Sequence, residues 1–236
     1  MESPEDPAER ADRATVAGTT HWSRLVIQGT SEDERRAAHV FFYERYRTVV
    51  YRYFRHHGVD PVTAADLCQD FFLRTLSTSF LERADPSRGR FRNYLKTAVQ
   101  RFLIDRWRRT SPQPSVVLDP EWSSLEPVSP CASPDTEFDR EWAHAVVEFA
   151  RRDVARWYKS RGRTAHFDAF LLRTYEGLSA REIAAKLGLS ISGVDSVCAR
   201  ARRRMAEAIR REVAATVGND ADLDEEVAYL IELVRS

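Results

Sequence analysis

Apolar residues recur at helical spacing through the first half of the chain, and their pattern predicts three amphipathic helices. The first follows a capping box at residues 31–34 and ends at Gly58. The second starts with Asp60 as N-cap and Pro61 in the first helical position, and a polar loop over 77–89 separates it from the third. The predicted buried stripes of the three helices are Phe42, Tyr46, Val49, Val50, Tyr53 and Phe54, then Ala64, Leu67, Cys68, Phe71, Phe72, Thr75 and Leu76, then Phe91, Tyr94, Leu95, Ala98, Val99, Phe102 and Leu103.

Proline then interrupts the helical pattern. Residues 110–136 hold six of the ten prolines, and we predict a linker there because proline lacks a backbone donor and disfavours helix in the preceding residue. Helical spacing resumes at Phe138, and an amphipathic stretch at 223–234 predicts one further helix. Since no stretch alternates with period two, we predict an all-α fold of two small helical domains joined by a proline-rich linker.

These patterns divide the chain into five parts. We predict a disordered N-terminus at 1–21, a first helical domain at 22–109, the linker at 110–136, a second helical domain at 137–213 and an acidic C-terminal extension at 214–236. The helix in the extension has two interpretations: it packs on the second domain with its acids near that domain's arginines, or it is a solvated helix.

Residues 179–211 have the pattern of a helix-turn-helix. Ser179 and Glu182 form a second capping box, Gly188 supplies the turn, and Ser190 caps the following helix. The outer face of that helix is polar and basic, which suits contacts to base edges and phosphates. An αα-hairpin with a basic surface is the alternative, but the glycine turn, the two caps and the arginine cluster together favour DNA binding.

Charge is balanced over the whole chain but not along it. The 36 basic and 36 acidic residues cancel, yet residues 88–109 hold eight basic side chains against Asp105, and residues 200–211 hold six arginines against Glu207. Acidic residues collect between these blocks and again at 220–232. Two basic blocks suggest two contact surfaces for one polyanion, whereas solvated helix faces would explain them equally well.

Several classes of site and location are disfavoured by the sequence. Cys68, Cys131 and Cys198 are odd in number and far apart, so we expect reduced thiols, two of them in core positions, and neither a disulfide nor a zinc site. The histidines lack metal spacing, and no nucleophile motif or glycine-rich phosphate loop occurs, so we predict no catalytic residue, metal or cofactor. With no apolar run long enough for a bilayer and no signal-peptide pattern, we expect a cytoplasmic protein.

The motifs taken together resemble the sigma-70 family of RNA polymerase sigma factors. Five short segments resemble region 4 of that family and follow in the same order: 175–179, 182–184, 187–190, 194–196 and 200–202. Residues 41–109 resemble region 2 of the family. Within them, residues 66–72 are similar to the polymerase-docking motif, and residues 91–95 and 105–109 are similar to the helix that reads the −10 element. Because neither a region 1.1 nor a full region 3 is present, the chain resembles the compact extracytoplasmic-function type. The 80–91 connection and the acidic extension are similar to a subset typical of planctomycetes and other large-genome bacteria.

The resemblance implies a bacterial sigma factor that binds core RNA polymerase, recognises the −35 and −10 promoter elements and starts transcription, without being an enzyme. It implies core RNA polymerase and promoter DNA as partners, an anti-sigma factor or other regulator as a further one, no membrane, and a monomer when free. The residues it implicates in polymerase binding are Asp66, Leu67, Gln69 and Asp70. Those implicated at the −10 element are Arg88, Arg90, Arg92, Asn93, Lys96, Thr97, Gln100, Arg101 and Arg108, and those at the −35 element are Ser192, Asp195, Ser196, Arg200 and Arg203.

Departures from the family pattern leave the promoter sequence open. Asp195 and Val197 stand where the family often has basic residues, and an acid facing DNA repels phosphates unless it accepts from a cytosine amine or a neighbouring arginine. Arg101 stands where many relatives have asparagine.

Two other interpretations stay open. A dimeric regulator with a similar helix-turn-helix would bind DNA without core polymerase, and it would leave residues 66–72 unexplained. An interaction protein that sequesters a sigma partner would fail a run-off transcription assay, which separates it from a sigma factor.

Overall fold

The computed structural model describes residues 31–110, 136–217 and 222–235, and within these ranges it contains α-helices, one short 3-10 turn and no β-strand. The predicted all-α fold is therefore confirmed. The helices are α1 (Glu32–His56), α2 (Pro61–Ser77), α3 (Phe91–Thr110), α4 (Thr136–Ser160), α5 (Thr164–Tyr175), α6 (Ala180–Leu187), α7 (Ile191–Ala214) and α8 (Leu223–Arg235), and the 3-10 turn is Pro86–Arg88. The expectations for 1–21, for Cys131 and for nearly all of the linker lie outside the described residues.

The predicted helix starts are confirmed by their hydrogen bonds. Ser31 Oγ accepts from the backbone N–H of Glu34 at 3.3 Å, and the Glu34 carboxylate accepts from the Ser31 N–H at 2.9 Å. Asp60 Oδ1 accepts from two backbone N–H groups of the first turn of α2, each at 3.1 Å. Between these helices Gly58 takes a left-handed conformation with φ of 77°, which ends α1 at little steric cost.

A first core forms where α1, α2 and α3 pack with the N-terminal half of α4 and with α8. Its centre is aromatic: Phe42 meets Phe72 edge-on with ring centroids 5.1 Å apart, and Trp142 of α4 stacks on Tyr46 at 5.0 Å. Buried Cys68 is a free thiol in this core, as predicted.

Two details around the end of α2 were predicted wrongly. Leu76 is 52% exposed, because the stripe that faces α1 ends at Thr75 and the next residue turns away from it. The loop after α2 is not purely polar: Phe80 and Leu81 are fully buried, and Phe80 stacks on Tyr94 at 4.6 Å. The Phe80 carbonyl accepts from the Tyr94 hydroxyl at 2.7 Å, so this loop is fastened to α3.

Helix α4 belongs to two cores. Its first half packs in the first core through Phe138, Trp142 and Val146, and its second half packs against α5 and α7 in a second core. That second core consists of Ala150, Val154, Tyr158, Phe167, Phe170, Ala201, Met205 and Ala208. A backbone hydrogen bond from Phe91 N to Thr216 O, at 3.0 Å, also joins the start of α3 to the residues after α7. The two halves of the described chain are therefore in direct contact.

The predicted final helix exists as α8 and packs against α4 and α7. Its Asp224 pairs with Arg210 of α7, as the first interpretation of the extension expected. Other acids of α8, however, reach arginines at the start of α3. In the described part of the chain, no helix is long and apolar enough to cross a membrane.

Candidate DNA-binding and polymerase-binding surfaces

Helices α6 and α7 form the predicted helix-turn-helix. Ser179 N donates to the Glu182 carboxylate at 2.8 Å, and Ser190 Oγ accepts from Gly193 N at 3.1 Å, so both helices carry the expected caps. Gly188 takes the left-handed conformation of the turn, with φ of 66°. Ile183 and other apolar side chains of the two helices are buried against α5, which fixes the angle between the helices.

The outer face of α7 carries all five residues that the sequence implicated at the −35 element. This recognition face is exposed and consists of Ser192, Asp195, Ser196, Arg200 and Arg203. The residues recur three or four positions apart, so they lie along one side of the helix, opposite the buried Val194, Val197 and Ala201. Its hydroxyls and guanidinium groups can donate to base edges and phosphates of a DNA groove.

The acid in the recognition face has an arginine partner. Asp195 Oδ1 accepts from Arg173 Nη2 of α5 at 3.1 Å, and Arg173 also donates to the Leu178 carbonyl at 3.4 Å. The carboxylate charge is thus offset by a guanidinium at the edge of the DNA-binding surface. The sequence allowed a neighbouring arginine but did not identify which one, because the two residues are 22 positions apart.

Helix α2 presents a mixed polar and apolar surface. Asp66, Gln69 and Asp70 are exposed on it as predicted, but Leu67 is 3% exposed and belongs to the first core. A surface role for Leu67 is therefore wrong, because it lies on the stripe that begins at Ala64 and packs against α1.

Two leucines complete that surface and were missed by sequence reasoning. Leu73 is 54% exposed and stands four residues after Gln69, and Leu76 follows three residues later. We call Asp66, Gln69, Asp70, Leu73 and Leu76 the docking face. The signal was present: Leu73 does not fall on the apolar stripe of α2, and a large apolar residue outside the stripe indicates a contact surface.

Helix α3 divides into an open part and a covered part. Arg88, Asn93 and Arg108 are exposed, and Thr97, Gln100 and Arg101 are partly exposed. Trp107, near the C-terminal end of α3, has an exposed side chain.

The covered part holds Arg92, which the sequence implicated at the −10 element and which is not at the surface. Arg92 is 4% exposed and pairs with Asp139 of α4 and Glu226 of α8. The reason is its position beside Phe91 and three residues before Leu95, at the edge of the buried stripe, where α4 and α8 close over it. Arg90 and Lys96 are paired with carboxylates of the same two helices.

The electrostatics of this cluster keep Arg92 charged. Burial by itself would lower the pKa of Arg92, but hydrogen bonds and charges from Glu226 and Asp139 outweigh burial and hold it above its ordinary value. Burial, with the neighbouring Asp139 charge, raises the pKa of Tyr229 to about 12, so its hydroxyl stays protonated and donates to Asp139 Oδ2 at 2.9 Å. Arg92 therefore stays a cation in this cluster, and the Tyr229 hydroxyl stays a donor.

Two parts of the chain match known family models, and one characterised protein is similar to it. Sigma-70 region 2 matches residues 42–112, and Sigma-70, region 4 matches residues 167–205. The ferric citrate uptake sigma factor FecI of Escherichia coli (strain K12) is 32% identical over 139 residues, which cover 58% of this chain and 71% of FecI. The chain belongs to the sigma-70 family. No solved structure matches it.

This sigma factor is of the extracytoplasmic-function type, and it directs promoter recognition and the initiation of transcription. The family implies core RNA polymerase and promoter DNA as its partners, and its members are not enzymes. Among the described residues, no group of three or more His, Cys, Asp or Glu side chains could hold a metal ion. The region 2 match includes the docking face and α3, and the region 4 match includes α6 and α7 as far as residue 205, so each candidate surface lies within a matched region.

Proposed function

We propose that this sigma factor reads the −35 element with the recognition face of α7. The observation that carries the proposal is that all five implicated residues lie exposed on one side of the second helix of a capped helix-turn-helix. Residues near the N-terminal end of α7, among them Ser192 and Ser196, face base edges, while Arg200 and Arg203 reach bases or phosphates further along. Arg173 holds Asp195 so that its carboxylate does not repel the DNA backbone.

We propose that the −10 element is read on α3. Asn93, Thr97 and Gln100 offer amide and hydroxyl groups that can distinguish bases, and Arg101 and Arg108 can hold phosphates. Exposed Trp107 offers a stacking surface for an unpaired base at the C-terminal end of the same helix. Exposed Arg88 extends this surface at the N-terminal end, beside Arg90, Arg92 and Lys96, which are paired with carboxylates in the free protein.

We propose that core RNA polymerase binds the docking face of α2. The acids and Gln69 suit a basic, hydrogen-bonding partner surface, and the exposed leucines supply apolar area that an ordinary solvated helix face lacks. A partner surface that covers the docking face can bury the two leucines and form hydrogen bonds to the polar side chains at the same time.

The setting of the protein is part of the proposal. We propose a free monomer that works in the cytoplasm, where the chromosome and core polymerase are, and that is further controlled by an anti-sigma factor or other regulator. We propose a region 2-like domain at 22–109, a region 4-like domain at 137–213 and an extension at 214–236, which the matched regions 42–112 and 167–205 support, with the first half of α4 and α8 packed on the first domain.

Transcription in vitro with purified core polymerase on fragmented genomic DNA, followed by start-site mapping, tests the proposal. We expect start sites that share one −35 and one −10 sequence and that appear with core polymerase and this protein together. Specific DNA binding by the free protein as a dimer, without any polymerase-dependent start, would favour the dimeric regulator instead.

A further inference from the structure

The carboxylates of α8 bind the arginines at the start of α3 in the way that phosphates bind arginine. Glu226 accepts from Arg92 Nε at 2.8 Å and from Arg92 Nη2 at 3.1 Å, so both of its oxygens are used in a bidentate pair. It also accepts from Arg90 Nη1 at 2.7 Å, while Glu225 accepts from Arg90 Nη2 at 3.1 Å. Two-pronged contact with an oxyanion is the same arrangement that arginine uses on a nucleic-acid backbone.

The contact between Arg92 and Glu226 is closed to solvent and to any other anion, whereas the Arg90 side chain is 20% exposed. Glu226 is 1% exposed, and the Arg92 guanidinium lies over the Tyr229 ring of α8, 5.0 Å from its centroid. Asp139 of α4 takes the remaining side of Arg92 and also binds Lys96 Nζ at 2.9 Å. DNA therefore reaches Arg92 after Glu226 has moved away, not before.

The helix that covers these arginines packs on α4 and α7 at one side of the first core. Leu223 and Leu230 are its buried apolar residues, whereas α1 to α4 share the aromatic centre around Phe42 and Trp142. Loss of α8 would leave that centre in place. A buried charge with too few partners is costly, so a phosphate can replace the Glu226 carboxylate on Arg92 while Asp139 keeps its own contact.

We propose that α8 is an intrachain mimic of promoter DNA: it occupies the N-terminal end of α3 in the free protein and is displaced when DNA binds there. The inference rests on the proposed −10 role of α3. It also corrects the expectation for the acidic extension, since its main ionic contact is with α3 and not with the arginines of the helix-turn-helix.

The test compares two amide variants of the full chain that change net charge equally. Glu226→Gln weakens the bidentate contact, whereas Glu232→Gln alters an exposed acid of the same helix. The readout is the affinity of the free protein for a fluorescein-labelled, random-sequence single-stranded DNA at fixed salt. If the covered state dominates, Glu226→Gln binds about tenfold more tightly than the wild type, and Glu232→Gln stays within about twofold of it. Equal affinities of the two variants overturn the inference.

Hydrogen exchange on the unmodified protein gives a second measurement that does not depend on how the variant folds. Saturating single-stranded DNA is expected to speed exchange in residues 223–235 and to leave residues 164–175 of α5 unchanged. Unchanged exchange in α8 while DNA is bound overturns the inference.

One further variant separates this inference from the proposed function. Arg108 is exposed and lies outside the α8 contact, so Arg108→Ala tests the DNA surface of α3 directly. Reduced affinity in Arg108→Ala together with equal Glu226→Gln and Glu232→Gln overturns the inference and leaves the proposed DNA surface standing. Unchanged affinity in Arg108→Ala removes that surface, and the inference falls with it.

Discussion

Some side chains of this protein pair with residues nearby in the sequence, and others pair with residues far away in the sequence. The caps at Ser31, Asp60 and Ser179 use partners two or three residues away, so local sequence predicts them. The pair between Arg173 and Asp195 depends on how α5 packs against α7, and the sequence of neither helix specifies it. The same limit applies to Arg92. Its position on the helix is clear from the sequence, but the carboxylates that pair with it, Asp139 and Glu226, are separated from it by 47 and 134 positions.

Arg200 offers a direct test of the recognition face. Replacing it with alanine removes a donor to bases or phosphates, so we expect Arg200→Ala to weaken promoter binding by the polymerase complex by about 1–3 kcal/mol. Electrophoretic mobility shifts on a mapped promoter measure this change. Arg156→Ala on α4, which alters an exposed arginine away from the helix-turn-helix, serves as the control. Equal binding by Arg200→Ala and wild type would remove Arg200 from the site.

Gly188 tests the turn itself. A Cβ at this position would have open space around it, so backbone strain at φ of 66° is what a substitution adds. We expect Gly188→Ala to lower the free energy of unfolding by about 1–2 kcal/mol, and Gly188→Asn to lower it less, because asparagine tolerates the left-handed region. Urea denaturation followed by circular dichroism gives both values. A larger loss for asparagine than for alanine would contradict this account.

At the scale of the element, helical stripes predicted which side of each helix is buried, and they failed where a helix ends. Leu76 left the stripe in the last turn of α2, and Phe80 entered the core from a segment with no periodicity of its own. Periodicity needs several turns to be read, so a loop that folds back onto a helix gives no such signal. The docking face of α2 was predicted in its polar part, and its leucines became evident from the structure.

The docking face predicts a loss of polymerase binding without a loss of fold. Asp66→Ala with Gln69→Ala removes two exposed polar groups, so we expect affinity for core polymerase to fall on the order of tenfold while thermal unfolding stays unchanged. Adding Leu73→Ala should reduce the affinity further. Glu44→Ala with Thr48→Ala, an exposed acid and hydroxyl on α1, is the matched control in the same pull-down. Wild-type affinity in the α2 variants would place the polymerase contact elsewhere.

Helix α4 connects the two cores of the molecule, and no local sequence pattern indicates this connection. The sequence placed this helix in the second domain, and its stripe from Phe138 to Trp157 has one continuous period. The structure divides that stripe between two cores. Ion pairs add to this connection. Arg52 Nη1 of α1 pairs with Glu141 of α4 at 3.2 Å, and Arg45 of α1 pairs with Glu212 of α7. Which core a residue joins is a tertiary fact that helical spacing does not carry.

Replacing Trp142 tests whether the packing of α4 in the first core stabilises the protein. Its side chain is buried and stacks on Tyr46, so Trp142→Ala should lower the free energy of unfolding by about 3–5 kcal/mol. Trp157→Phe, a milder change in the second half of α4, is expected to have a smaller effect. Calorimetry measures both, and a stability of Trp142→Ala close to the wild type would show that the first core does not depend on α4.

The sequence distance between Arg92 and Glu226 has a consequence for newly made protein. They are 134 positions apart, and ribosomes add about 5–20 residues per second, so the arginine is synthesised roughly 7 to 27 s before the carboxylate that covers it. During that interval Asp139 of α4 can already pair with Arg92, but Glu226 and the rest of α8 have not been made. A polymerase that captures the nascent protein therefore meets the start of α3 before α8 covers it, whereas one that arrives after synthesis has to displace that helix first.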